Sequence, residues 1–101
     1  MVVLTRYRVT QPDREAFAAQ AEAALRVLSG KPGYAGGEVG QNVDDPALWC
    51  LTTRWDDVGS YRRALSGTES KMVVVPLLSR AVDEPSAYQV VVAAPPAASL
   101  G

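Results

Sequence analysis

The segment from Pro32 to Tyr61 constrains the fold more than any other part of this 101-residue chain. It holds a glycine-rich stretch, 34–42, an Asp-Asp-Pro turn, and a second stretch, 48–55, which runs directly into an acidic pair and a helical pattern. Alternating side chains predict strands, and an acidic residue ahead of an apolar helical pattern predicts an N-cap. The segment therefore predicts a strand, a tight turn, a second strand and a helix that begins at Asp56 or Asp57.

The flanking residues predict the remaining elements. Residues 2–9 alternate and predict a first strand. A capping hydroxyl at Thr10, ahead of Pro12 and an acid, predicts a helix start. Gly30 is expected to end that helix in the left-handed conformation. Residues 88–92 alternate again and predict the last strand. Apolar residues recur at helical spacing in the first helix: Phe17, Ala21, Ala24, Leu25 and Leu28.

The second helix and the segment after it are less regular. Val58, Tyr61, Ala64 and Leu65 share one helix face, and Gly67 is expected to close the helix. Residues 72–78 contain three consecutive valines but also a proline, which limits strand pairing. We interpret residues 72–78 as a short helix or an irregular apolar cover.

These elements predict an α+β domain of the ferredoxin-like βαββαβ type, with a four-stranded antiparallel sheet and helices on one face. The domain is expected to span residues 1–94, and residues 95–101 to form a disordered C-terminal tail. Both faces of the strands are apolar, as Val3 and Leu4 illustrate. An uncovered apolar sheet face is larger than monomers usually expose. We therefore expect a homodimer that buries the helix-free face.

Composition excludes several classes of function. The net charge is −1 with both signs interspersed, so nucleic acid is not an expected partner. The sequence shows no membrane-spanning run and no signal-peptide pattern, so we expect a cytoplasmic protein that does not bind membranes. Histidine is absent, and the lone Cys50 is expected to be a small core residue. The carboxylates sit in turns and caps, which predicts no metal site and no acid/base dyad.

Three groups of residues resemble the antibiotic biosynthesis monooxygenase (ABM) domain family. They are Pro32-Gly33-Tyr34, the stretch 53–57 followed by Tyr61, and the closing Tyr88-Gln89-Val90. The resemblance covers residues 2–92 in order and spacing. It implies a dimeric α+β barrel. Some members of this family oxidise aromatic polyketide anthrones to quinones with O2 and no cofactor, whereas relatives degrade haem, isomerise a signalling sugar or have no known activity.

The haem-degrading branch of this family is not matched. Its strand-one asparagine falls at Tyr7, its second-helix tryptophan at Ala64, and its haem-ligating histidine near Val74. We therefore expect no cofactor, and a colourless protein that does not bind haem tightly.

The quinone-forming branch matches at two positions. Its tryptophan and the tyrosine six residues later correspond to Trp55 and Tyr61, which the resemblance makes the candidate catalytic residues. The asparagine expected four residues before that tryptophan is Leu51, a departure from the pattern. Three positions remain open for the arginine of the branch: Arg62, Arg63 and Arg80.

Large aromatic side chains opposite alanine-rich helices predict a pocket for a small aromatic molecule. Trp55 could stack on such a ligand or donate its indole N–H, and Tyr61 could donate to an enolate oxygen. Asn42 could replace the missing asparagine if its strand reaches the pocket mouth. The candidate substrate-binding residues are Tyr7, Trp49, Leu51, Asn42 and Leu65.

Two functions remain open from the sequence. The first is a cofactor-independent monooxygenase that acts on a polycyclic aromatic, anthrone-like substrate in secondary metabolism. The second is a non-catalytic dimer of the same fold that binds a small ligand or assists a cyclase. Pocket polarity distinguishes them, because an enzyme needs at least two hydrogen-bond donors that converge on one point inside the pocket and a binding protein needs only shape.

Overall fold

The computed structural model describes residues 1–96 and contains one four-stranded sheet with its helices. In chain order the elements are β1 (Val2–Arg8), a 3-10 turn (Gln11–Asp13), α1 (Arg14–Ser29), β2 (Tyr34–Gln41), β3 (Leu48–Trp55), α2 (Val58–Ser66), α3 (Thr68–Val73), α4 (Val75–Leu78) and β4 (Ala87–Tyr88). Most of the tail predicted at 95–101 lies outside the described residues.

The sheet has the strand order β2-β3-β1-β4, and every described pairing is antiparallel. The two strands of the β2-β3 hairpin are adjacent, whereas the chain crosses over a strand between β1 and β2 and again between β3 and β4. The predicted α+β, ferredoxin-like βαββαβ plan is confirmed. The segment 72–78, left open between helix and irregular cover, forms the end of α3 and all of α4.

Alternation along β1 separates the two faces of the sheet. Val3, Thr5 and Tyr7 are buried on the helix-covered face, whereas the residues between them are only half-buried. β3 pairs in register with β1, so that Tyr7 lies opposite Trp49 and Thr5 opposite Leu51. The core between this face and the helices also contains Phe17, Ala21, Ala24, Leu28, Trp55, Ala64, Val74 and Leu77.

The helix ends agree with the sequence only in part. Asp57 caps α2, because its carboxylate accepts a hydrogen bond of 2.7 Å from the Ser60 backbone N–H. Thr10 makes no side-chain capping bond; its backbone carbonyl accepts from Asp13 N–H instead. The left-handed conformation predicted at Gly30 was wrong, since Gly30 has φ −87°. A positive φ, 88°, occurs instead at Gly33, where the chain turns into β2.

The last strand is shorter than predicted. The alternation of 88–92 suggested a strand through Val92, but only Ala87 and Tyr88 pair with β1. Tyr88 lies opposite Val2, the first residue of β1, so that farther along the chain no residue of β1 is available for pairing. Residues 89–92 therefore run past the sheet without partners in the described chain, and Val91 and Val92 are exposed.

The helix-free face of the sheet is mixed rather than purely apolar. Leu4, Leu48 and Cys50 form its apolar centre, beside a shallow groove of about 270 Å³ that we call the sheet groove. Its lining consists of Leu4, Arg6, Gly40, Gln41, Asn42, Leu48, Trp49 and Cys50. Ion pairs surround this centre: Arg6–Glu84, Arg8–Asp45 and Arg54–Glu38.

Replacement of Gly33 by alanine should destabilise the protein by about 2–4 kcal/mol. The positive φ opposes a Cβ, and that Cβ would lie 2.4 Å from the Cβ and Oγ of Ser60 on α2, which forces repacking. Gly30→Ala is the matched control, because a Cβ at Gly30 meets only the Val27 carbonyl at 3.7 Å. Urea denaturation measures both free energies of unfolding. Equal effects of the two substitutions would contradict this role for Gly33.

Candidate functional site

A cavity of about 360 Å³ lies where β1, α2 and the connection from α4 to β4 meet. We call it the Tyr61 cavity. β1 contributes Thr5 and α2 contributes Tyr61. The α4–β4 connection, with the end of α4, supplies the remaining lining: Leu78, Ser79, Ala81, Val82, Asp83, Glu84 and Ser86. The lining combines apolar side chains with hydroxyl groups and carboxylates at one site.

The α4–β4 connection is fastened to the outer edge of β1. Val82 N–H donates to the Arg6 carbonyl at 2.8 Å, and Leu4 N–H donates to the Ser86 carbonyl at 2.7 Å. The Arg6 guanidinium binds both carboxylate oxygens of Glu84, with Nε at 2.8 Å and the second nitrogen at 2.5 Å. A bidentate pair of this kind fixes the orientation of the two side chains as well as the distance between them. The cavity wall is therefore held by backbone bonds and one ion pair.

Tyr61 presents an uncommitted hydroxyl to this cavity. Its ring packs against Trp55 at a centroid distance of 5.7 Å. Within residues 1–96 the Tyr61 hydroxyl makes no hydrogen bond to another protein group, although the ring is half-buried. Burial, with a smaller contribution from the nearby Tyr7, raises the pKa of Tyr61 above its usual value. The hydroxyl therefore stays protonated at neutral pH and is available as a donor to a ligand.

Thr5 brings a second hydroxyl to the same cavity. Its Oγ1 lies 2.9 Å from the Tyr7 hydroxyl and 3.4 Å from the Leu51 carbonyl oxygen. Tyr7 itself is 1% exposed and lies behind Thr5, with its ring against Phe17 at 4.9 Å. Burial raises the pKa of Tyr7, partly offset by its bond to Thr5. Thr5 and Tyr61 are thus two of the four hydroxyl-bearing residues that line the cavity, and the other two are Ser79 and Ser86 on the α4–β4 connection.

Trp55 and Leu51 lie in the core behind the cavity rather than in its lining. The Trp55 indole N–H donates to Thr53 Oγ1 at 2.9 Å, so this donor is already used within the protein. The Trp55 ring is 2% exposed and also packs edge-on against Tyr34 at 5.4 Å. Trp55 can therefore support the Tyr61 ring, whereas its N–H points to Thr53.

The other predicted site residues lie elsewhere. Asn42 lines the sheet groove on the opposite face, whereas Trp49 borders that groove but has its ring on the helix-covered side. Asn42 Oδ1 accepts from the backbone N–H groups of Asp44 and Asp45, and β2 therefore does not bring Asn42 to the Tyr61 cavity. Trp49 donates its indole N–H to the Pro46 carbonyl and packs edge-on against Phe17. Leu65 packs against the core and is not part of the cavity lining.

None of the three candidate arginines lines the cavity. Arg80 binds Asp13 and Gln20 and lies over the Phe17 ring at 5.3 Å, which joins the end of α4 to α1. Arg63 donates to Ser60 Oγ at 3.3 Å, and Arg62 is exposed. The positive charge nearest the cavity wall belongs to Arg6, through its pair with Glu84.

Sequence reasoning missed Thr5 and the α4–β4 connection. Thr5 carried a signal, since it is a polar residue on the apolar face of β1, between Val3 and Tyr7. The α4–β4 connection carried no such sequence signal, because its place in the site depends on how it folds back along β1. Among residues 1–96, no three histidine, cysteine or acidic side chains are grouped to bind a metal ion. No helix in the same range is long and apolar enough to cross a membrane.

Comparison with known proteins points to one family. The family model of the antibiotic biosynthesis monooxygenases matches residues 1–74. This match covers β1 to α3, and with them two of the four hydroxyl-bearing residues of the cavity lining, Thr5 and Tyr61, whereas Ser79 and Ser86 lie beyond it. No curated protein sequence matches the chain.

Solved structures share the fold at low sequence identity. SnoaB from Streptomyces nogalater, a cofactor-independent oxygenase solved as a point mutant, superposes with a TM-score of 0.70 at 18% identity, covering 89% of this chain and 94% of SnoaB. A protein from Nitrosomonas europaea, provisionally described as an antibiotic biosynthesis monooxygenase, gives 0.70 at 16% identity, with 90% and 98% covered. A similarly described protein from Chloroflexus aurantiacus gives 0.67 at 24%, with 92% and 95% covered.

The ion pair in the cavity wall predicts a pH-dependent contribution to stability. The hydrogen bond and charge of Arg6 hold the pKa of Glu84 below its usual range. The contribution is therefore full above the pKa of Glu84 in the unfolded chain and is lost as the pH falls through its folded pKa. The free energy of unfolding of the wild type should exceed that of Glu84→Gln at neutral pH, and the difference should vanish between about pH 5 and pH 2.

Urea denaturation across this pH range measures the difference. Glu69→Gln is the control, since Glu69 makes no ion pair within the described part of the chain. A difference between wild type and Glu84→Gln that stays constant down to acid pH would contradict the role of the ion pair.

Proposed function

The chain belongs to the antibiotic biosynthesis monooxygenase family, and on that premise we propose that it is a cofactor-independent monooxygenase that oxidises a polycyclic aromatic, anthrone-like substrate with O2 in secondary metabolism. One observation carries the proposal. The hydroxyl of Tyr61 has no protein partner among the described residues and faces a cavity that holds a second hydroxyl, that of Thr5. Two hydroxyl-bearing side chains in one cavity support an enzyme over a binding protein, which needs only shape.

The proposed reaction converts an anthrone to a quinone. The substrate loses a proton from its methylene carbon and becomes an enolate, which gives one electron to O2. The resulting radical pair combines at the same carbon to form a hydroperoxide. Loss of water then leaves a carbonyl, so that one oxygen atom enters the product and the other departs in water with the two methylene hydrogens. The substrate supplies all the electrons, and no cofactor is required.

Tyr61 is the proposed donor to the enolate oxygen. The charge on this oxygen develops as the substrate loses its proton, and a fixed donor lowers the energy of that state. Because burial raises the pKa of Tyr61, its hydroxyl is protonated at neutral pH and can donate there. The Trp55 ring, 5.7 Å from that of Tyr61, limits the movement of the donor.

The carboxylates of the lining are not placed to act as strong bases. Glu84 is held ionised by Arg6, with a lowered pKa. Asp83 is exposed, and water competes for its carboxylate. We therefore assign proton loss to the acidity of the substrate itself, which hydrogen bonds to its oxygen increase. Leu78, Ala81 and Val82 give the ring system apolar contacts that exclude water.

We also propose that two copies associate through the helix-free sheet face. Its apolar centre is surrounded by residues of both charges, namely Arg6, Arg54, Glu38 and Glu84. A surface with both signs around an apolar centre can be complementary to itself under a two-fold axis. The exposed valines at 90–92 lie beside this sheet and add apolar surface that a second copy would cover.

A non-catalytic, ligand-binding or cyclase-assisting role is the second candidate. This role is favoured because the polar groups that the family resemblance implied for the site are either used elsewhere in the protein or absent. The Trp55 N–H is used by Thr53, Leu51 stands where an asparagine was expected, and Asn42 is used in its own turn. Under this alternative the cavity binds an aromatic ligand and Tyr61 only orients it.

Replacement of Tyr61 by phenylalanine should slow anthrone oxidation by about 100-fold, since loss of one donor to a developing oxyanion has effects of this size. Stability should change by about 1 kcal/mol or less. Tyr34→Phe is the matched control, because Tyr34 contacts the same Trp55 ring but does not line the cavity. The rate is followed by quinone absorbance, in slightly acidic buffer where the uncatalysed oxidation is slow. If the wild type oxidises the anthrone no faster than buffer alone does, the non-catalytic role remains. If Tyr61→Phe oxidises it at the wild-type rate, Tyr61 takes no part in the mechanism.

The association of two copies predicts twice the chain mass in sedimentation at micromolar concentration. Leu4→Glu should give monomers, because it places a charge at the apolar centre of the proposed interface. Val43→Glu is the control, since Val43 is 94% exposed in the β2–β3 turn and away from that centre. A wild type that sediments as a monomer would exclude the proposed dimer, and so would a Leu4→Glu variant that stays dimeric.

A further inference from the structure

Thr5 is the residue that the sheet contributes to the Tyr61 cavity, and the family resemblance does not account for it. It lies in the middle of β1 and is 6% exposed, yet it lines the cavity. Its hydroxyl is 2.9 Å from that of Tyr7 and 3.4 Å from the Leu51 carbonyl oxygen. The unequal distances identify a short, strong contact and a long, weak one. The weak contact is the one that a ligand can replace.

The direction of the short hydrogen bond follows from burial. Tyr7 is 1% exposed, and Thr5 is its only hydrogen-bond partner in residues 1–96. A buried phenol without an acceptor for its proton is costly, so Tyr7 donates to Thr5. A threonine hydroxyl accepts with its lone pairs and keeps one proton to donate. In the absence of a ligand this proton can go only to the Leu51 carbonyl, at the long distance.

The Leu51 carbonyl does not depend on this contact. β3 lies between β1 and β2 and pairs with both of them in register at Leu51. The backbone groups of a central strand are engaged in the ladders on its two sides. Transfer of the Thr5 proton from Leu51 to an acceptor in the cavity therefore leaves no backbone group unpaired.

We propose that Thr5 donates a hydrogen bond to an oxygen atom of the ligand in the Tyr61 cavity and so selects aromatic ketones over hydrocarbons of the same shape, with Tyr7 as a positioning residue that acts through Thr5. The inference rests on the proposed function in one respect, since both require an aromatic ligand in this cavity. The bond from Tyr7 fixes the rotamer of the Thr5 hydroxyl and polarises it toward the ligand, because hydrogen bonds in a chain strengthen one another.

The test compares two rigid tricyclic probes, 9-fluorenone and fluorene, which share a ring framework and differ in one carbonyl oxygen. Equilibrium dialysis measures the dissociation constant of each probe without any need for catalysis. Wild-type protein should bind fluorenone more tightly than fluorene by about tenfold, the value of one good neutral hydrogen bond. Thr5→Val should reduce this preference to the part that Tyr61 contributes, whereas Thr5→Ser should retain it in full.

A matched control exists on the neighbouring strand. Thr53 is buried, faces the same side of the sheet and bonds an aromatic residue two positions along, Trp55, but it does not line the cavity. Thr53→Val should lower stability and leave the preference for the ketone intact. A reduced preference in Thr53→Val as well as in Thr5→Val would assign the effect to general loosening of the core and overturn the proposal.

The role of Tyr7 is tested by a double-mutant cycle. Tyr7→Phe should reduce the preference for fluorenone less than Thr5→Val does, and the double variant should behave as Thr5→Val alone. Additive effects would show that Tyr7 does not act through Thr5. A wild type that binds both probes equally, or a Thr5→Val variant that keeps the full preference, would overturn the role of Thr5 and leave the proposed function standing. Failure of the wild type to bind either probe would overturn the proposed function as well.

Discussion

The packing of aromatic rings on the helix-covered face of the sheet is the interaction on which the rest of the structure depends. Strand register places Tyr7 opposite Trp49 and Tyr34 opposite Trp55. Phe17 from α1 then packs between the first two rings, and Tyr61 from α2 packs against Trp55. Alanines on the helices allow close approach of the helix backbone to this layer. Tyr61 stands at the edge of it, so the same packing that builds the core also aims one phenol into a cavity.

In β1 and in β3, a threonine hydroxyl forms a hydrogen bond with the polar group of a buried aromatic side chain. Thr53 accepts from the Trp55 indole, and the Thr5 hydroxyl shares a hydrogen bond with the Tyr7 phenol, each two residues away on the same face of its strand. At Thr53 this hydrogen bond lies entirely within the core, and Thr53 does not line the cavity. Thr5 also lines the Tyr61 cavity, beside the α4–β4 connection. A single pattern of core polarity can thus serve structure at one position and recognition at the other.

The sequence predicted what depends on local pattern. Alternation identified β1 and β3 with their buried faces, and the helical spacing from Phe17 to Leu28 identified the face of α1. It could not predict what depends on register and tertiary placement. β4 stops at Tyr88 because β1 offers nothing beyond Val2 to pair with. Gly33 is a glycine because its φ is positive and a Cβ there would clash with Ser60 on α2. The cavity wall consists of a connection whose residues carry no periodic signal.

The central claim is that the Tyr61 cavity is the binding site for a flat aromatic ketone. A crystal structure of the protein with bound 9,10-anthraquinone, the kind of product the proposed reaction would form, tests it most directly. The account predicts electron density for the rings between Tyr61 and the α4–β4 connection, with a quinone oxygen within hydrogen-bonding distance of the Tyr61 hydroxyl. Density for the ligand in the sheet groove, with the Tyr61 cavity filled only by water, would contradict it.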